Sequence, residues 1–150
     1  MLVLSNARQS PSAVNKALQM AKDEGAVLTA LFILDAKLPA SLCENIADNA
    51  FAGEKTSEQL YHSILVEHRE RGRNIIMEIG QKAETMGVAY EAMIKEGEFG
   101  AECLSSINDK RPDLVIITRE RKSLISRFVF GSVLGSIQKE TDSELLIIED

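Results

Sequence analysis

The sequence predicts an α/β protein in which a five-stranded parallel sheet is covered by helices on both faces, a three-layer doubly wound sandwich. Strand-like and helix-like segments alternate along the 150 residues, and such alternation implies parallel strands joined by right-handed crossovers. The second strand, Ala26–Leu34, is almost continuously apolar, as expected for a strand buried on both faces. Because no linker, repeat or low-complexity stretch divides the chain, we expect one domain over residues 1–150.

The first half of the chain opens with a short apolar strand, Met1–Ser5, which ends at polar Asn6. A helix is predicted to begin at Ser10, a good N-cap that is followed by proline, and to end at Gly25, where a left-handed cap is expected. Residues 36–55 after the second strand contain proline, asparagine and glycine. They are predicted to form an irregular insert.

A long helical pattern follows the insert. Thr56 and Gln59 have the spacing of a capping box, which predicts the helix start, and Gly87 predicts its end. The middle of this helix, Glu67–Arg73, is strongly charged and contains Gly72. The sequence therefore predicts a bend or a projection into solvent at this point.

The second half completes five strands and four helices. The sequence alternates over Val88–Lys95, which is typical of an outer strand, and helical spacing covers Gly97–Asn108. An apolar strand, Asp113–Thr118, leads into a basic loop at 119–127, and a short helical pattern precedes the last apolar strand, Leu145–Ile148.

Composition and charge narrow the classes of function. A net charge of −6 argues against a duplex nucleic-acid binder, and no apolar run reaches the roughly 18–20 residues that span a bilayer. With no signal-peptide pattern at the N-terminus, we expect a cytoplasmic protein. Residues 110–127 nevertheless carry a local charge of +4. This basic segment suits a small anion site or an acidic partner, or it is a solvated loop.

Few residues point to catalysis or to a metal. Cys43 and Cys103 are too few for a disulfide framework, and Cys103 lies in a helical pattern where a small buried residue is expected. His62 and His68 are six positions apart on one predicted helix, so their side chains project in different directions. No paired carboxylate or nucleophile–base pattern is visible, and the sequence therefore does not indicate an enzyme.

One segment does suggest a ligand. Gly131-Ser132 opens a helix after a parallel strand, and the N-terminus of such a helix presents unpaired N–H groups to a phosphate. An ordinary N-cap with a close-packed glycine is the alternative. In a doubly wound sheet the crevice lies at the carboxyl ends of the strands, where the strand order reverses. We expect Asn6, at the end of the first strand, and the segment Thr118–Ser132, at and after the end of the fourth, on its rim.

Taken together, these segments resemble the universal stress protein family over essentially the whole chain. The resemblance rests on the strand at the extreme N-terminus, the insert after the second strand, and the ending DLVIIT…FVFGSVLGSIQ…LLIIED. It implies an adenine nucleotide alpha hydrolase-like fold with strand order 3-2-1-4-5. It also implies a stress-response role and, in nucleotide-binding members, a G-x2-G-x9-G-[ST] loop around ATP phosphates.

This chain departs from that loop pattern. When the motif is aligned on Gly131-Ser132, Thr118 stands at the first glycine and Arg121 at the second. Side chains there hinder the approach of the backbone to a phosphate, although the Arg121 guanidinium could bind the anion instead of blocking it. ATP-binding members tend to have Asp where this chain has Asn6. The candidate nucleotide-binding residues are Asn6, Asp35, Thr118, Arg119, Arg121, Gly131 and Ser132.

The resemblance and the residues together predict a homodimeric regulatory protein with weak or no ATP binding. The alternative is a nucleotide-dependent switch or slow ATPase that uses ATP with Mg²⁺, which Asp35 could bind through water. Dimerisation is expected through the apolar edge strand at the chain end, unless the acidic residues around it keep the chain monomeric. A protein partner is compatible with this role. The strand residues expected in the dimer contact are Leu145, Leu146, Ile147 and Ile148.

Overall fold

The structure is a computed structural model that describes residues 1–6, 9–35, 54–119 and 134–149. The strands are β1 (Leu2–Ser5), β2 (Leu28–Leu34), β3 (Tyr90–Glu96), β4 (Leu114–Arg119) and β5 (Glu144–Glu149). The helices are α1 (Pro11–Glu24), α2 (Glu54–Met86), α3 (Phe99–Lys110) and α4, residues 134–140.

The five strands form one sheet in the order β3-β2-β1-β4-β5. Every neighbouring pair is parallel, and Leu2 of β1 lies between Ala30 of β2 and Ile116 of β4. The chain builds outward from β1 to β3 and then returns to the other side of β1. This confirms the predicted order and places the reversal between β1 and β4.

The sheet separates two apolar cores. Leu2 and Leu4 of β1 pack in a core with α1 and α2, whereas Val3 packs in a second core with α3 and with Ile137 of α4. We call the two sides the α1–α2 face and the α3–α4 face. Since helices cover both sides of the sheet, the three-layer doubly wound architecture is confirmed.

Local signals at both ends of α1 act as predicted. The Ser10 side chain accepts a hydrogen bond from the Ala13 N–H at 3.0 Å, and Pro11 follows at the first helical position. At the other end Gly25 has φ +60°, and its N–H donates to the carbonyls of Ala21 and Lys22. The two caps satisfy backbone groups that a helix end otherwise leaves unpaired.

Helix α2 differs from the sequence expectation in two respects. It begins at Glu54, so the predicted capping box is wrong, because Thr56 already lies inside the helix. It also continues without interruption to Met86, and Gly72 is buried. The predicted bend or projection at Gly72 is therefore wrong, because this glycine faces the sheet and not solvent.

Two glycines allow α2 to lie close to the sheet. A methyl group added at Gly72 would come within 2.7 Å of the Phe32 ring, and one at Gly80 would come within 3.0 Å of the Tyr90 ring. Tyr90 also donates a hydrogen bond from its hydroxyl to the Ile76 carbonyl at 2.8 Å. Burial raises the pKa of Tyr90 to about 12, which keeps this donor protonated under ordinary conditions.

The elements around α3 lie within two residues of their predicted positions. β3 is an outer strand as expected, but it begins at Tyr90, two residues after the predicted start. Helix α3 begins at Phe99 and not at Gly97, because the Glu98 carboxylate caps it by accepting from two backbone N–H groups. Cys103 is completely buried, as predicted.

Replacement of Gly72 by alanine should destabilise the protein by about 1 kcal/mol, because overpacking against the buried Phe32 ring outweighs the better helix propensity of alanine. Urea unfolding of the variant measures this change. Gly135 in α4 is the matched control, since a methyl group there meets nothing within 4 Å. Gly135→Ala should stabilise by up to about 1 kcal/mol, and an equally stable Gly72→Ala variant would contradict the close approach.

Replacement of Ser106 by alanine should stabilise the protein by about 1–2 kcal/mol. Ser106 lies in α3, is fully buried, and its hydroxyl has no hydrogen-bond partner among the described residues. The neighbouring Ser105 is exposed, so Ser105→Ala is the control for helix propensity alone. If the two variants unfold at the same urea concentration, the Ser106 hydroxyl has a partner after all.

Candidate functional site

The carboxyl ends of β1 and β4 meet at the point where the strand order reverses. Asn6 follows β1 directly, and Thr118 is the next-to-last residue of β4. Val3 is the last residue of β1 that is paired with β4, and it lies opposite Ile117. Thr118 is one residue beyond this pair and Asn6 three residues beyond it, so both lie at the same edge of the sheet.

Three buried polar atoms at these strand ends have no hydrogen-bond partner among the described residues. They are Ser5 Oγ, Asn6 Oδ1 and Thr118 Oγ1. Ser5 is 1% exposed and Thr118 is 3% exposed. A buried polar atom without a partner costs about 1–3 kcal/mol, and natural cores contain few of them. Their accumulation at a switch point makes this edge of the sheet a candidate ligand site.

The three side chains at the strand ends lie on both faces of the sheet. Ser5 follows the alternation of Val3 and so belongs to the α3–α4 face, whereas Thr118 follows Ile116 on the α1–α2 face. Asn6 follows Leu4 on that same α1–α2 face. A bound molecule at this edge could therefore receive hydrogen bonds from above and below the plane of the sheet.

Asp35 brings a carboxylate to the same edge. It directly follows β2, the strand on the other side of β1, and it is partly buried. Ser5 is paired with Ile33, which places Asp35 one residue beyond the level of Asn6. In the described part of the chain, no three His, Cys, Asp or Glu side chains are grouped so that they could hold a metal ion.

The loop after β4 begins later than predicted. β4 extends one residue further than predicted, to Arg119, and Thr118 lies within the strand as predicted. The first position of the aligned glycine motif is thus an extended, buried strand residue whose backbone is paired with β5. The side chain of Arg119 and the whole of Arg121, Gly131 and Ser132 lie outside what the structure describes, and their roles stay predictions.

Ser5 is a site residue that the sequence analysis did not select. Its hydroxyl is one of the three buried atoms without a partner. The signal that could have found it is a polar residue at the end of an otherwise apolar strand, next to Asn6. A short strand whose last residue is buried and polar departs from the apolar pattern that burial favours.

β5 forms one edge of the sheet, as predicted. Its apolar side chains alternate between the two cores, with Leu145 and Ile147 on the α3–α4 face and Leu146 and Ile148 on the other. All four are only partly buried, whereas Leu2, Val3 and Leu4 of the central strand are fully buried. The pairing of this edge with a second copy stays a prediction.

The fold and the crevice define a doubly wound α/β protein of the class that holds ligands at the reversal point of the sheet. The model of the universal stress protein family matches residues 1–149 of the sequence. The chain therefore belongs to the universal stress protein family.

Among the described helices, none is both long and apolar enough to cross a membrane.

Solved structures of this family share the fold. The universal stress protein UspA from Lactobacillus plantarum superposes with a TM-score of 0.68 at 15% identity, over 99% of this chain and 97% of that chain. A family member from Burkholderia pseudomallei gives 0.62 at 18% identity, over 98% and 94% of the two chains.

A further similar structure is a universal stress protein in complex with cAMP, with a TM-score of 0.53 at 14% identity, over 99% of this chain and 94% of that chain. Identities this low show the fold and not the ligand. No curated protein sequence matches this chain.

Proposed function

We propose that this universal stress protein is a cytoplasmic, homodimeric regulatory protein that binds an adenine nucleotide weakly between the ends of β1 and β4 and does not catalyse its turnover. The observation that carries the proposal is the group of three buried, unpartnered polar atoms on Ser5, Asn6 and Thr118. A ligand that pairs with them recovers the free energy that their burial costs in the empty protein.

The chemistry of these atoms suits the neutral part of a nucleotide. Asn6 Oδ1 is an acceptor and requires a donor, whereas the Ser5 and Thr118 hydroxyls can donate or accept. Ribose hydroxyls and the amino group of adenine supply such donors and acceptors. A universal stress protein of similar fold has been solved in complex with cAMP, and by analogy this supports a ligand of the same class.

The residues at the phosphate-binding positions of the motif favour weak binding of the nucleotide. Thr118 and Arg121 stand where the nucleotide-binding motif has glycine, and Thr118 is buried in β4. Its backbone is engaged in the sheet, so fewer N–H groups remain to surround a triphosphate than a glycine loop provides. Arg121 is proposed to bind the anion by charge, and Asp35 and the Gly131-Ser132 step are proposed to complete the rim.

The proposal predicts opposite effects on stability and on binding. Ser5→Ala and Thr118→Val should each raise the free energy of unfolding of the ligand-free protein by about 1 kcal/mol, because an unpaired hydroxyl is removed. Each should also weaken the binding of cAMP, AMP or ATP by about tenfold, the equivalent of one lost hydrogen bond. Urea unfolding and calorimetry with millimolar nucleotide measure the two effects.

Ser106→Ala is the matched control for this experiment. It removes a buried hydroxyl that is also without a partner among the described residues, but on α3 and away from the strand ends. It should stabilise the protein without changing nucleotide affinity. The absence of any heat with all three nucleotides and Mg²⁺ would refute nucleotide binding, and steady release of ADP from ATP would instead identify a slow ATPase.

The proposed contact through β5 predicts that Ile147→Lys lowers the mass of the assembly in sedimentation velocity. A charge on this partly buried edge strand opposes its pairing with a second copy. Glu144→Lys is the control, because Glu144 lies on the same strand but is exposed. Circular dichroism verifies that both variants fold, and an unchanged mass for folded Ile147→Lys would contradict a dimer through β5.

A further inference from the structure

Among the strands that the structure describes, β3 is the second edge of the sheet. It is paired with β2 on one side, and the strand order places it at the end opposite β5. An edge strand offers unpaired backbone groups to another strand. The side chains at this edge therefore decide whether it is blocked or is a contact surface.

Exposed apolar side chains are concentrated at this edge. Among the described residues, the large apolar side chains that are exposed are Val27 at 60%, Val66 at 54%, Met77 at 61% and Ile94 at 40%. Ile94 lies on β3, and Val66 and Met77 lie on α2, the helix that packs over β2 and β3.

Val66 and Met77 are on the side of α2 that follows the outer edge of β3. Val66, Arg69, Arg73 and Met77 are separated by three, four and four residues, which places them on one stripe of the helix. Arg69 fixes the direction of this stripe, because its guanidinium donates to both carboxylate oxygens of Glu96 on β3 at 2.8–3.2 Å. We call this stripe, together with β3, the β3 flank.

The sequence of β3 is complementary to itself. A second copy that adds antiparallel at this edge is related by a two-fold axis perpendicular to the sheet, so each face continues into the same face. If the axis passes at Met93, Glu91 lies opposite Lys95 of the second copy at two symmetric places. Ala92 and Ile94, both exposed, then lie opposite each other in the same way.

Other registers lose this match. The nearest alternative registers have the axis at Ala92 or at Ile94. An axis between two residues is excluded, because it would place side chains from opposite faces of the sheet opposite each other. Glu91 then lies opposite Met93 or Gly97, and no pair of opposite charges forms on the strand. One register alone joins opposite charges at both ends and apolar residues between them.

Contacts within the chain already hold Glu91 at this edge. It forms an ion pair with Lys110 of α3 and accepts a hydrogen bond from Thr29 of β2 at 3.3 Å. The hydrogen bond from Lys110, assisted by that from Thr29, keeps the pKa of Glu91 below its usual value. The carboxylate is thus charged and held between α3 and β2, and a cation on a second copy would approach it from the open side of β3.

We propose that the β3 flank binds a second copy of this chain, antiparallel and centred on Met93, so that two sheets join into one. The α2 helices of the two copies then lie side by side on one face, with the stripe of Val66, Arg69, Arg73 and Met77 between them and the charge of Arg69 compensated by Glu96. The contact does not depend on nucleotide binding or on β5. Where β5 also pairs, the two edges link dimers into larger assemblies.

A charge-swap experiment tests the register. Lys95→Glu places a carboxylate opposite Glu91 of the second copy at both symmetric positions. This variant should lower the association constant of the contact at least tenfold, as measured by sedimentation velocity over a concentration series. The combination of Glu91→Lys with Lys95→Glu restores opposite charges and should recover association to within about threefold. A third change, Lys110→Glu, keeps the ion pair within the chain. Lys82→Glu, on the side of α2 that faces α1, is the control and should have no effect.

A further variant separates this contact from β5. The chain with Ile147→Lys alone should remain a dimer through the β3 flank, and addition of Lys95→Glu should make it a monomer. Met77→Gln should weaken the same dimer while the fold stays intact. The proposal is overturned if the folded Ile147→Lys chain is already a monomer at high concentration, or if the charge-swapped chain does not recover association.

Discussion

The complete burial of β1 on both faces is the constraint on which the rest of the structure depends. Leu2, Val3 and Leu4 are 0% exposed, and they contribute alternately to the two cores. A strand that is buried in this way needs parallel neighbours on both sides and helices above and below. The same burial leaves the polar residues that end the strand in a medium that penalises any unpaired group. The core and the crevice therefore have one cause.

The parts of the fold that depend on local chemistry were predictable from the sequence. Ser10, Pro11 and Gly25 cap α1 through contacts within a few residues, and the alternation of strands and helices was sufficient for a parallel, doubly wound sheet, whereas the strand order came from the family resemblance. Gly72 could not be interpreted in this way. Its role depends on the Phe32 ring, forty positions earlier in the chain, and a charged helix segment with a glycine resembles a solvent-exposed bend until that partner is known.

The candidate site shows the same division. Asn6 and Thr118 could be placed on the rim, because the ends of parallel strands meet at one edge. That their side-chain oxygens and that of Ser5 are buried without partners could not be predicted, because it depends on every atom around them. The extension of β4 to Arg119 also depends on how far the pairing with β5 continues, and a sequence pattern locates such ends to within a few residues only.

The register connects the crevice to one edge of the sheet more directly than to the other. Thr118 is paired with Ile148 of β5, so a ligand on the Thr118 hydroxyl contacts a residue that supports the β5 edge. The β3 edge is separated from Thr118 by β1 and β2, and it reaches the crevice only through the pairing of Leu34 with Glu96. A ligand at the proposed site would therefore act on β5 more directly than on β3, because β5 is paired with β4 and β3 is not. If both proposed contacts form, the contact through β5 lies beside the proposed ligand site, whereas the contact through the β3 flank, which rests on paired charges and apolar side chains, is separated from β4 by two strands.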